Sequence, residues 1–120
     1  MEPVVVLEGV HRRFGDVEAL RDLHLRVERG TITVLLGPNG AGKTTAIRII
    51  TGALDVTRGT VRVFGVDPSD ARHGEDVRRR CGVVSAKPAL YDRLSGFDNL
   101  RYAAELYGLG WTGATRERVV

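Results

Sequence analysis

The sequence predicts an α/β fold, and three features of its pattern support this prediction. Short apolar runs rich in β-branched residues precede residue 37, as is typical of strands. A glycine-rich loop at residues 37–45 joins the last of these runs to an apolar segment with the length of a short helix. Strand-like and helix-like segments occur again after it. The order of strand, loop and helix indicates an α/β domain.

The segments before the loop are predicted to be strands. Residues 4–10 are apolar and β-branched, and residues 23–27 alternate between apolar and polar side chains, as a half-buried strand does. Residues 31–36 form a continuous apolar run between Gly30 and Gly37. This run predicts a short strand that is buried on both faces.

The segments after the loop follow in regular order. Residues 46–50 predict a helix that stops at Gly52. Residues 60–64 predict a strand, residues 75–80 a short polar helix and residues 82–84 a brief strand.

The last predicted element is a helix whose first turn is capped by Ser95, with Asp98 three residues further on. Gly108 is expected to end it. Apolar residues recur on one face of this helix, which predicts that the face packs against other parts of the protein. They are Phe97, Leu100, Ala104 and Tyr107.

Composition limits the classes of protein to which the chain can belong. With 120 residues and 42% hydrophobic content, we expect one domain or part of one. The sequence contains no signal-peptide pattern and no apolar run long enough to span a membrane, so we expect a soluble chain. The single cysteine, Cys81, fits a reducing cytosol and is interpreted as a small buried hydrophobe. The net charge of +3 comes from scattered basic residues, so we expect no nucleic-acid partner.

The segment that carries chemistry is the loop at residues 37–45, GPNGAGKTT, which matches the phosphate-loop pattern G-x-x-x-x-G-K-[ST]. Glycines let successive backbone N–H groups surround an anion, and the N-terminus of the following helix favours the same negative charge. Lys43 is predicted to reach the β- and γ-phosphates of ATP, and the Thr44 hydroxyl is predicted to be a ligand of Mg²⁺. The predicted phosphate-binding residues are Asn39, Gly40, Ala41, Gly42, Lys43, Thr44 and Thr45.

The wording of this loop resembles the Walker A loop of ABC transporter ATPase subunits. Residues 59–65 and 88–96, the latter with Asn99 and Leu100, resemble further segments of that family. The resemblance implies a P-loop NTPase core with an N-terminal antiparallel β subdomain, truncated before the Walker B strand. We therefore expect residues 1–120 to be part of one ABC-type ATP-binding domain.

The same resemblance implies a contact with the adenine base. Phe14 lies where the family has an aromatic residue that stacks on adenine, and Val17 is expected to add an apolar contact to the same base. Simple packing between the strand-like segments remains the alternative for Phe14.

A narrower resemblance rests on residues 90–92 and 102–108, which are similar to ATPase subunits that pair with separate ABC-2-type permeases, including drug and antibiotic exporters. It implies an ABC-2-type permease and a second ATPase copy in a head-to-tail dimer as partners. It also implies a cytoplasmic protein on the inner face of the cell membrane. A soluble ABC-type ATPase of translation or repair, or a non-catalytic P-loop interaction module, remains the alternative.

Two departures from the family pattern affect the expected activity. Ala86 stands where the family has its Q-loop glutamine, and the neighbouring Lys87 is interpreted as a solvated loop residue. Nothing after Gly108 resembles the signature segment, the Walker B acidic pair or the switch histidine. We therefore expect a fragment that folds poorly alone and binds ATP but hydrolyses little of it, and we assign no catalytic residue.

Overall fold

The computed structural model describes residues 3–37, 42–84, 91–109, 112–114 and 117. The chain divides into two units, Met1–Cys81 and Gly82–Val120, and each is described by itself.

The first unit is built on an antiparallel sheet of three strands, β1 (Pro3–Phe14), β2 (Val17–Glu28) and β3 (Arg58–Val63), in the order β2-β1-β3. Strands β1 and β2 form a hairpin, because Phe14 pairs with Val17 across a tight turn. Gly15 supplies the positive φ of 60° that this turn needs. The predicted antiparallel β subdomain is therefore confirmed, with longer strands than the apolar runs alone indicate.

Two helices pack on this sheet. Helix α1 (Lys43–Ile50) begins three residues earlier than predicted, and Gly52, with φ of 80°, lies just after it as predicted. Helix α2 (Gly74–Arg80) confirms the predicted polar helix and contributes Val77 to the interior. The buried core contains side chains from the sheet and from both helices. Its members are Leu7, Val10, Leu20, Ala46, Ile49, Val61, Val63 and Val77.

The predicted strand at residues 31–36 is wrong for this structure. The segment adopts no strand, and Ile32 and Leu36 are 96% and 86% exposed. A buried strand of this kind needs hydrogen-bonded neighbours, and among the described residues the only strands are those of the β2-β1-β3 sheet, none of which pairs with it. Its apolar side chains therefore remain in solvent.

The second unit begins with residues 82–84, where the predicted brief strand is also wrong. Val84 is fully exposed and the segment has no regular structure. Its backbone lacks a pairing strand within the part of the chain that the structure describes, for the same reason as above.

Helix α3 (Gly96–Leu106) confirms the last predicted element of the chain. The backbone N–H of Asp98 donates to the Ser95 Oγ at 3.0 Å, which is the predicted cap. Gly108 follows the helix with φ of 72°. Of the predicted apolar face, Ala104 is buried and the larger side chains are partly exposed.

The Asn99 side chain fixes the approach to α3. Its Oδ1 accepts from the Tyr91 N–H at 2.8 Å, and its Nδ2 donates to the carbonyl oxygens of Tyr91 and Ser95.

None of the helices described has the length and apolar composition required to cross a bilayer.

Candidate functional site

The N-terminus of α1 presents uncapped backbone donors. The first helical hydrogen bond runs from the Ala46 N–H to the Gly42 carbonyl at 2.9 Å, so the amides of Lys43, Thr44 and Thr45 precede it and have no acceptor within the helix. No side chain described caps this end, and its first turn carries no acidic residue. The helix dipole adds partial positive charge there. This end of α1 is therefore chemically suited to an anion.

Gly42 holds this helix end against the sheet. Its φ is 91°, and a Cβ at this position would lie 2.7 Å from both the Ala19 carbonyl oxygen and the Leu20 Cδ2. A side chain is therefore excluded both by backbone conformation and by space. The last glycine of the motif thus permits a close approach between the loop and β2.

The position that Gly42 contacts is a bulge in β2. Glu18 pairs with Arg13 and Leu20 pairs with Arg12, so Ala19 is an extra residue between two consecutive pairs of the β1–β2 ladder. Such bulges bend a strand locally and occur often beside functional sites.

Lys43 turns back toward the start of the loop. Its Nζ donates a hydrogen bond to the carbonyl oxygen of Gly37, the first glycine of the motif. The two ends of the motif are therefore joined by the lysine side chain. An ammonium group has three donors, and within the described part of the chain this bond uses one of them.

Thr44 is the more exposed of the two threonines in the first turn, while Thr45 is partly buried. A hydroxyl oxygen is a hard ligand of the kind that Mg²⁺ accepts. Among the residues described, no group of three or more His, Cys, Asp or Glu side chains can hold a metal ion. Mg²⁺ commonly takes few protein ligands together with phosphate oxygens and water, so a single threonine fits this ion.

Phe14 and Val17 form an exposed apolar surface at the tip of the β1–β2 hairpin. They are direct cross-strand partners, so their side chains lie on one face of the sheet. They are 45% and 66% exposed, so both side chains are accessible to a ligand. Ala19 follows Val17 by two residues, or about 7 Å along a strand. The apolar surface and the uncapped end of α1 therefore lie within reach of one nucleotide.

Arg12 is a neighbour of Phe14 that the sequence prediction missed. Its guanidinium carbon lies 4.5 Å from the centroid of the Phe14 ring, and its Nη1 donates to the Asp55 carbonyl oxygen at 2.8 Å. Alternation along β1 places residues two apart on one face, and this signal was available in the sequence. The bond to Asp55 joins residues 43 positions apart, and no local pattern indicates it.

A separate polar cluster lies along the hairpin, at His11 and Glu18. The His11 Nδ1 lies 3.2 Å from the Glu18 carboxylate, and the Arg21 Nε donates to the same carboxylate at 2.9 Å. These hydrogen bonds, the one from His11 first, lower the pKa of Glu18. With Arg13 and Arg58 nearby, the cluster lines an open groove of about 270 Å³.

Several residues singled out in the sequence lie outside the described part of the chain. They are Asn39, Gly40 and Ala41 of the loop, together with Ala86 and Lys87. The structure thus brings together the uncapped amides, Lys43 and Thr44 on α1 with Phe14 and Val17 on the hairpin.

Comparison with known sequences identifies the family. The ABC transporter family pattern matches residues 20–119. The chain is 39% identical over 111 residues to the ABC transporter ATP-binding protein NatA of Bacillus subtilis, covering 88% of this chain and 44% of the relative. It is also 39% identical over 109 residues to the daunorubicin resistance ATP-binding protein DrrA3 of Streptomyces coeruleorubidus, covering 91% and 34%. The chain thus spans less than half the length of these relatives.

Solved structures agree with this result. The structure of an ATP-binding subunit of an ABC transporter superposes with a TM-score of 0.82 at 31% identity, covering 96% of this chain and 46% of the other. A post-hydrolysis dimer of the ATP-binding cassette MJ0796, bound to ADP and Pi, superposes with a TM-score of 0.78 at 26% identity, covering 96% and 53%. The predicted P-loop NTPase fold is confirmed. The chain belongs to the ABC transporter family, and the relatives to which it is similar are ATP-binding proteins of that family.

Proposed function

We propose that this chain binds ATP through its Walker A loop, as the N-terminal part of an ABC transporter ATPase subunit that powers export across a membrane. The observation that supports this most is that α1, whose first amides no described side chain caps, begins where Gly42 lies against the bulge at Ala19. This is the arrangement that polyphosphate binding requires.

The phosphate end of the site acts through fixed charges and donors. The amides of Lys43, Thr44 and Thr45 donate to phosphate oxygens, and the Lys43 ammonium neutralises charge on the β- and γ-phosphates. Thr44 would hold Mg²⁺, which screens the same phosphates from one another. Asn39, Gly40 and Ala41 complete the loop in this proposal.

The base end of the site is apolar. Adenine stacks on the exposed ring of Phe14, and Val17 contacts its edge. The proposal assigns no residue of this chain to water activation, so ATP binding rather than hydrolysis is the activity proposed for these residues.

The proposed partners follow from the relatives. Besides the daunorubicin resistance protein, the bacitracin transport ATP-binding protein BcrA of Enterococcus faecalis is 35% identical over 108 residues. These names refer to drug resistance and antibiotic transport, which supports a role in export. The proposal adds an ABC-2-type permease as the membrane partner and a location on the inner face of the cell membrane. The dimeric MJ0796 cassette supports a second ATPase copy as the other partner. A soluble ATPase of translation or repair has no comparable support among these relatives.

Replacing Lys43 with methionine tests the proposal. The change keeps most of the side-chain length and removes the charge, so ATP affinity should fall about 10- to 100-fold, as expected for the loss of a charge-assisted hydrogen bond worth about 1.5–3 kcal/mol. Isothermal titration calorimetry of the full chain with Mg²⁺ and ATP measures this. Arg48→Ala is the matched control, because Arg48 is an exposed cation in the last turn of the same helix. Unchanged affinity in Lys43→Met, or equal losses in both variants, would refute the phosphate role of Lys43.

A further inference from the structure

We infer that Arg12 is a positioning residue for base recognition, which holds the Phe14 ring so that one face is covered and the other is presented to adenine. This inference rests on the proposed function, because it assigns a role to Arg12 within the same ATP site. Arg12 itself touches neither the phosphates nor the base in this assignment.

The geometry of Arg12 carries the inference. The guanidinium carbon lies 4.5 Å from the Phe14 ring centroid, within the range of a cation–π contact. The Nη1 donates to the Asp55 carbonyl at 2.8 Å, so the guanidinium is also anchored to the segment between α1 and β3. Its Nε is buried and has no hydrogen-bond partner among the described atoms. Among the described residues, the Phe14 ring and the Asp55 carbonyl are the contacts of this guanidinium that carry the inference.

The hairpin tip explains why the ring needs such a contact. Phe14 is the last residue of β1, next to the turn, and its side chain is 45% exposed. An exposed aromatic side chain that must adopt one orientation on binding a base loses rotamer freedom at that moment. A guanidinium held against one face of the ring fixes the ring orientation before ATP binds. The opposite face is left for stacking on adenine. Less conformational entropy is then lost on binding.

The position of Arg12 in the sheet also connects the two ends of the site. Arg12 pairs with Leu20, the residue that follows the bulge at Ala19, and Gly42 lies against both Ala19 and Leu20. Strands β1 and β2 therefore contact the phosphate loop through Ala19 and Leu20, and they also carry Arg12, which orients the Phe14 ring. Arg13, the next residue, belongs to the other face of the strand and lines the groove with His11 and Glu18.

Comparing ATP with inorganic triphosphate, which has no base, distinguishes a role of Arg12 in base binding from a role in phosphate binding or folding. Arg12→Ala should weaken ATP binding by the full chain about two- to fivefold, the factor expected for one partly exposed cation–π contact, and should leave the affinity for inorganic triphosphate unchanged. Arg12→Lys should recover part of the loss, since it keeps a cation, whereas Arg12→Met, which keeps the aliphatic stem, should not. Arg13→Ala should bind both ligands as the wild type does.

A double-mutant cycle with Phe14 completes the test. In a Phe14→Ala background, Arg12→Ala should have no further effect on ATP affinity, because the ring through which Arg12 acts is absent. Equal losses for ATP and triphosphate, or an undiminished effect of Arg12→Ala without the ring, would overturn the positioning role. If Phe14→Ala alone left ATP affinity unchanged, the proposed base contact itself would fail. A loss in Phe14→Ala without any loss in Arg12→Ala would overturn only the role of Arg12.

Discussion

Residues 4–10, at the start of the β1–β2 hairpin, and residues 31–36 are both rich in apolar, β-branched side chains, but they differ in structure. In the hairpin, Leu7 and Val10 are 1% and 0% exposed, whereas Ile32 and Leu36 are 96% and 86% exposed. The difference shows that apolar sequence alone does not make a strand.

Partners make the difference between the two segments. Strand β1 finds β2 across a tight turn and β3 on its other side, so its backbone groups are paired. A strand buried on both faces belongs to a parallel sheet, whose partners come from distant parts of a chain. Among the strands described, none pairs with residues 31–36. The backbone N–H and C=O groups of this segment therefore have no strand partner there to stabilise an extended conformation.

The largest expected effect comes from comparing the same substitution in the two regions. Leu7→Ala removes a buried side chain and should lower the free energy of unfolding of this chain by about 2–5 kcal/mol. Leu36→Ala removes an exposed one and should change it by less than about 0.5 kcal/mol. Urea denaturation followed by circular dichroism measures both variants. Similar losses of unfolding free energy in the two variants would show that residues 31–36 are packed in solution. This result would contradict the difference between the two regions.

A smaller effect is expected where the loop joins the sheet. Gly42→Ala should lower the free energy of unfolding by about 2–4 kcal/mol, because backbone strain at positive φ and steric overlap with Ala19 and Leu20 add together. Gly15→Ala is the matched control, since its φ of 60° is also positive but nothing lies within 4 Å of the added Cβ. It should cost only the strain, about 1–2 kcal/mol. The same denaturation experiment compares them. If the two variants were equally stable, the close approach of Gly42 to β2 would be contradicted.

The smallest effect concerns the partly buried pair of His11 and Glu18 on the hairpin. Because its pKa is lowered by His11 and Arg21, ionised Glu18 stabilises the folded state above the ordinary carboxyl pKa, and this contribution is lost as the pH falls through the lowered pKa. Wild type should therefore be slightly more stable than Glu18→Gln at pH 7, and the two should converge at strongly acidic pH. Urea midpoints measured from pH 7 downward test this. A difference that stayed constant with pH would contradict the pairing, as would a full effect in a His11→Ala background.

Much of the fold was predictable from local signals. The Ser95 cap, the glycine at the end of α1 and the alternation in β2 each depend on a few neighbouring residues, and the structure confirms them. The motif also located the helix end that presents free amides, since glycine content and spacing alone specify it.

Other features depend on residues far apart in sequence. The bulge at Ala19 and the bond from Arg12 to Asp55 arise when the strands and loops meet, and no short pattern encodes them. The exposure of residues 31–36 depends on which strands are present to pair with them. Features of this kind depend on contacts between distant residues rather than on local propensity, so local sequence patterns do not predict them.

The central claim is that the first amides of α1 hold the phosphates of ATP. Amide chemical-shift mapping of the ¹⁵N-labelled full chain during titration with Mg²⁺ and ATP tests it most directly. We predict saturable shifts at Lys43, Thr44 and Thr45 that inorganic triphosphate reproduces, with additional shifts at Phe14 and Val17 for ATP alone. Saturable ATP binding that left the amides of Lys43, Thr44 and Thr45 unshifted would contradict the account.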